Sequence, residues 1–291
     1  MTTTLAPRTP RQIQSERARD TISNVIKRPE FRERDNTEPA MEAFSRIAFS
    51  LAALETGADG SKSNEAYHLS IAASVHDYVD GNLDLFEIEQ ATKTDNLDGE
   101  RVRLTPEQVE KRDGALDKII PFNHTVKEYI SNDKGAKFTD IVEYVVAFYA
   151  MSHSAHLKTL TDGGQGLLRF VRERTRECIN GMRHEKGVVE MLRGTYEVNA
   201  SVSIQDDKKG CDMRVTTLDG HWNLPADAKA SDLKARKARA ERPNRKNAII
   251  WSTLSDEDFE ADGFTLAPET VARHRPRLFK ELEAEIEHLT R

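Results

Sequence analysis

The sequence predicts a mixed protein: an all-helical N-terminal half, an α+β core ordered helix, three strands, helix, strand, and a C-terminal helix. Three observations predict it. Apolar residues recur at helical spacing as far as Gly194. The period then drops to two in YEVNASVSI (196–204). Asp219-Gly220, a tight-turn dipeptide, then separates two further strand-like runs. The expected organisation is a helical domain over 1–160, an α/β-type core over 165–255 and a C-terminal helical extension over 256–291.

In the helical half, 39–55 carries an apolar stripe and ends at Gly57, and 66–79 is a second helix candidate. In 104–120, Thr105 caps, Pro106 fits the first helical position and Gln108 completes a capping box. The run 138–153 is the most apolar and is the expected core helix, while 92–101 is polar and reads as a loop. His153 and His156 lie three apart, a spacing that suits either metal ligation or a plain helix end.

TDGGQG (161–166) is a break, after which 167–193 reads as one long helix, bent or interrupted near Gly181. Strands are expected over 196–204, 211–218 and 221–230, where Pro225 asks for an edge or a bulge. Ser231 caps a basic helix over 231–242, 247–254 reads as a buried strand, and 267–289 as the last helix, with a break at Pro276.

The chain has 291 residues, 32% charged and 37% hydrophobic, a composition that suits a globular protein of up to two domains. Its longest uncharged runs are too short to span a membrane. The opening 20 residues lack the apolar stretch of a signal peptide, and Glu16 and Asp20 are unlike a transit peptide. Two cysteines, Cys178 and Cys211, with no CxxC spacing point to a reducing cytoplasm. The net charge of −6 divides into −7 over 1–165 (20 basic, 27 acidic), +6 over 166–246 (18 and 12) and −5 over 247–291 (5 and 10). The basic block is where a phosphate-backbone binder would be sought, although a charged helix face gives the same count.

Within that block the candidate site is Glu190 on the long helix, Asp212 at the start of the second strand, and Asp227 with Lys229 on the third. Asp227 and Lys229 are two apart and share a face. If the strands pair through Asp219-Gly220, opposed residues sum to 439, which sets Asp212 against Asp227. Opposed Cβ atoms are about 4.5–5.5 Å apart, so the two carboxylates repel unless a cation lies between them. Oxygen ligands with open positions suit Mg²⁺ or Mn²⁺. Such a metal and a lysine beside it serve phosphodiester hydrolysis. Gly187 leaves room for a close approach of backbone or phosphate. Lys186 and, on the basic helix, Lys234, Arg236, Lys237 and Arg239 are the candidate nucleic-acid contacts.

These residues resemble the PD-(D/E)xK, restriction-endonuclease-like, nuclease superfamily: a helix acid (Glu190), a strand Asp (Asp212), then Asp227-Ala228-Lys229. KGVVEML (186–192) is similar to the first-helix signature of archaeal Holliday-junction resolvases, and Gly210 matches a common feature beside the strand Asp. The resemblance covers about 165–255. It implies an α-βββ-α-β fold and Mg²⁺-dependent DNA cleavage, with Glu190, Asp212 and Asp227 on the metal and Lys229 positioning water. Cutting both strands with one site per chain calls for a homodimer. The third motif departs from the family in having Asp where Glu is commoner, and in Pro225 two residues before it.

Asp-x-Lys by itself says little, since it occurs four times here, but only 227–229 falls on an expected strand. Glu185 lies on another face of the helix from Glu190. Trp222 and Trp251 read as packing residues, and His184 and His221 as structural or assisting ones. The competing readings are a non-catalytic nucleic-acid-binding module and a helical interaction protein.

Overall fold

The computed structural model describes residues 64–94, 104–132, 137–200, 206–207, 211–218 and 220–290. The expected helix over 39–55, residues 95–101 of the expected loop over 92–101 (92–94 are helical instead), residues 201–204 of the first strand, Gly210 and Asp219 lie outside them. The protein is mixed α+β and divides into two compact units, residues 1–175 and 176–291.

The described residues of the first unit are helical: α1 (Asn64–Thr94), α2 (Pro106–Asn132), α3 (Phe138–Ser152), α4 (Ser154–Thr159) and the start of α5 (Gln165–Leu192). The expected capping box is present, with Thr105 N–H donating to Gln108 Oε1 (2.9 Å) and Gln108 N–H to Thr105 Oγ1 (3.2 Å). Both long helices outrun expectation. α2 continues through Pro121, where the ring removes one donor without ending the helix. α1 runs on past residue 79 because it packs on α2, and Gly81 permits the contact. A Cβ there would stand 2.7 Å from Ala115 O and 2.8 Å from Ile119 Cγ1. α3 supplies buried Ile141, Val142, Val145 and Phe148, as its apolar sequence requires. His153 does not pair with the exposed His156; its Nε2 lies 3.0 Å from His76 Nδ1.

The second unit holds the rest of α5, which is unbroken at Gly181, then β1 (Tyr196–Asn199), β2 (Met213–Thr217) and β3 (Asn223–Lys229). After these come α6 (Asp232–Glu241), β4 (Ala248–Trp251) and α7 (Pro268–Thr290), which is continuous through Pro276. The sheet order is β1-β2-β3-β4, antiparallel except that β4 runs parallel to β3. β2 and β3 pair as Met213↔Ala226 through Thr216↔Asn223, the register read from the turn signal. Pro225 lies in an inner strand, yet β4 begins pairing only at Ala226, so at Pro225 the strand has a single neighbour.

Alternation splits the sheet into two faces. Met213, Val215, Ala226, Ala248 and Ile250 pack with Val188, Met191, Leu192, Leu278 and Leu282 of α5 and α7. Ile249 packs on the other face with Ala235 and Ala238 of α6. The free edge of β4 is closed by side chains. Glu285 accepts from Ile249 N–H (2.9 Å), while Arg239 donates to Ile249 O (2.6 Å) and Arg277 to Trp251 O (3.3 Å). An edge sealed this way offers no ladder to another strand. Among the described residues no helix is long and apolar enough to cross a membrane.

Candidate functional site

The site forms where β2 begins and β3 ends. Asp212 N–H donates to Ala226 O (2.8 Å), and its carboxylate accepts the Ala228 N–H (2.8 Å), which ties it across β3. Asp227 alternates with core-facing Ala226 and Ala228, so its side chain emerges on the α6 face, where it is fully buried. Lys229, two residues on, pairs with Asp227 Oδ1. Arg242 reaches Asp227 Oδ2 at 3.2 Å from just beyond α6.

The balance of charge is unusual. Asp227 keeps two cationic partners, yet its carboxyl is pushed up to about 7. Burial is the largest cause, followed by repulsion from Asp212; Lys229 only partly opposes them. Burial and the neighbouring carboxylate thus outweigh the two cations at Asp227. Two carboxylates from adjacent strands are the hard oxygen donors that a divalent cation would take, and both Asp227 oxygens already carry a cationic partner.

Two expected members lie elsewhere. Glu190 belongs to α5, on the opposite face of the sheet from Asp227. Its carboxylate accepts the Leu266 N–H (3.2 Å) and pairs with Lys186, which also donates to Phe264 O (3.1 Å). Glu190 and Lys186 therefore pin the segment before α7. Among the described residues no group of three or more His, Cys, Asp or Glu side chains is arranged to hold a metal, so the three-acid set is not assembled. Gly187 likewise makes room for Leu254 and Leu266, because a Cβ there would meet Leu254 Cδ1 at 2.9 Å.

Of the expected phosphate contacts, Arg239 is taken up at the β4 edge, beside Glu285 at 3.0 Å. Lys234, Arg236 and Lys237 are exposed on α6, and Arg236 pairs with Asp232 at 2.7 Å. His184 is held between Asn180 O and Leu254 O, a structural position. Trp251 packs under Arg277, whereas Trp222 is 41% exposed at the β2–β3 turn. Arg242 is the site residue that sequence reasoning missed. The signal was Pro243, which disfavours helix at the residue before it and so makes Arg242 the last cap residue of the basic helix.

No protein-family description, curated protein or solved structure matches this chain.

Proposed function

We propose that the second unit is a divalent-metal-dependent endonuclease domain acting on DNA phosphodiester bonds, with a PD-(D/E)xK-like core. The observation that carries this reading is the pair Asp212 and Asp227 on adjacent strands with Lys229 beside it, where burial and Asp212 push the Asp227 carboxyl up in spite of its two cationic partners. The order helix, antiparallel meander, helix, parallel strand also supports it.

In this reading Asp212 and Asp227 would hold Mg²⁺ or Mn²⁺ without a third acid. The ion, when bound, neutralises a phosphate oxygen and lowers the pKa of water. Asp227 supplies a carboxylate kept dry by the sheet and α6. Asp212 is fixed by the Ala228 N–H beside the Asp227 carboxyl. Lys229 Nζ is held next to that carboxylate and orients the attacking water or meets the charge developing on the phosphate. Lys234, Arg236 and Lys237 offer the exposed positive charge that tracks a DNA backbone. Two cuts on a duplex would call for a homodimer.

A second reading is favoured by one contact: Arg242 and Lys229 each take one Asp227 oxygen, as in a static ion network of a non-catalytic binding module. Plasmid nicking separates the two. The nuclease reading expects nicking that requires Mg²⁺ or Mn²⁺ and is lost in Asp227→Ala and in Lys229→Ala. Salt-sensitive DNA binding that survives both changes, with no nicking by the unaltered chain, would establish the binding module instead.

A further inference from the structure

The last residue of the basic helix bears on how the carboxylate pair would acquire its metal. Pro243 stops α6, and Arg242 caps it, with its N–H on Ala238 O (3.1 Å) and Arg239 O (3.3 Å). That geometry turns the Arg242 side chain back onto the sheet, over Asp227. α6 itself is held down by Ala235 and Ala238 on Ile249 and by Arg239 at the β4 edge. The guanidinium is therefore delivered to one place, but it is not locked there. Its side chain is 42% exposed and makes one contact of 3.2 Å with Asp227, whose own side chain is fully buried. Lys229, on the strand itself, is the less exposed of the two cations, at 24%.

We propose that Arg242 is the resident counter-ion of the Asp212–Asp227 pair, a competitor of the divalent cation that must leave Asp227 when the cation binds. The inference rests on the metal site proposed above. Asp227 Oδ2 cannot serve a metal and a guanidinium at full strength together, because two positive centres at one oxygen repel each other. Once released, Arg242 is an exposed guanidinium at the rim of the site, suited to bidentate contact with a phosphate. A polyanion that draws Arg242 outward therefore raises the affinity for the cation, and by linkage the cation raises the affinity for the polyanion. Metal and phosphate backbone would thus be taken up together, and the pair stays neutralised when neither is present.

Calorimetric titration of the full chain with Mn²⁺, with and without a short phosphorothioate DNA duplex, tests this. The variants are Arg242→Gln, Arg242→Lys and an Asp227→Asn control, each first checked by tryptophan fluorescence for a folded second unit. A half-exposed ion pair predicts that Arg242→Gln binds Mn²⁺ about three- to tenfold more tightly than the unaltered chain. Arg242→Lys should fall between them, and Asp227→Asn should lose binding. The duplex should tighten Mn²⁺ binding to the unaltered chain and not to Arg242→Gln. Equal or weaker Mn²⁺ binding by Arg242→Gln overturns the proposal while leaving the metal site intact. No Mn²⁺ binding by any of the proteins removes the site, and this proposal with it. Coupled binding without nicking upholds the role of Arg242 and removes the nuclease reading alone.

Discussion

Replacing Asp227 by Asn should make the second unit more stable at high pH, the opposite of what removing half of a salt bridge normally does. The carboxyl is raised from its ordinary 3.8 to about 7. The folded state thus holds its proton more tightly than the unfolded chain does, so protons are released on unfolding and rising pH favours unfolding. The loss of stability begins near pH 4 and is complete a little above pH 7. At about 1.4 kcal/mol per tenfold change in proton affinity, ionising Asp227 costs folding ~4 kcal/mol at pH 8 and ~2 kcal/mol at pH 5, both as ceilings. Asn, an uncharged near-isostere of the protonated acid, escapes this cost. The stability difference between the variant and the unaltered chain should therefore grow by ~2–3 kcal/mol from pH 5 to pH 8. At a urea m value of about 1.5 kcal/mol/M, that is a further midpoint separation of about 1.5–2 M. The chain has two tryptophans, Trp222 and Trp251, both in the second unit, so their emission during a urea titration reports that unit alone. A variant no more stable than the unaltered chain at pH 8, or a difference independent of pH, would refute the reasoning.

Other perturbations have equally definite outcomes. Asp212→Asn removes the second-largest cause of the raised Asp227 carboxyl, so the fall of the tryptophan-reported midpoint between pH 5 and 8 should become shallower. Glu285→Ala leaves Arg245, whose side chain is 8% exposed and bonded to Glu285 at 2.9 and 3.0 Å, as an uncompensated buried charge. The expected loss is about 3–5 kcal/mol, read as a lower urea midpoint by the same emission. Gly81→Ala forces a methyl group to within 2.7 Å of Ala115 O. It should cost about 1–3 kcal/mol and lower the helix melting temperature followed by circular dichroism.

How far the sequence could be read depended on whether a feature is local. The capping box at Thr105 and Gln108 is a matter of four residues and is present as read. The β2–β3 register needs only a turn signal and the two-residue period, and the four pairs from Met213↔Ala226 to Thr216↔Asn223 obey it. Boundaries that depend on tertiary packing were misjudged. Pro121 and the polar end of α1 look like stops, but the α1–α2 contact carries both helices onward. Glu190 was legible as a helix acid close in sequence to the sheet. Which face of the sheet its helix would cover was not, because that depends on the parity of Met213, Val215 and Ala226 against α5. Arg242 was hidden for a similar reason: only the folded position of α6 brings residue 242 to residue 227.

Two arginine–carboxylate centres on one small sheet invite the question of which is structural and which is held ready for chemistry. Glu285 is saturated: Arg245 takes both of its oxygens, Ile249 N–H takes one, and Arg239 lies at 3.0 Å. Every group there seals the β4 edge, and nothing further is needed to balance it. Asp227 has one cation on each oxygen and a second carboxylate pressed against it, and its carboxyl is still pushed well above the ordinary acid range, to about 7. Structural ion networks are expected to be destabilising to break, whereas functional groups are kept under a strain that their removal relieves. Opposite signs are therefore required: Glu285→Ala must weaken the second unit, and Asp227→Asn must strengthen it above pH 7. Should both changes weaken it, the Asp227 cluster is simply a second clamp, and the chemistry of this chain has to be sought outside it.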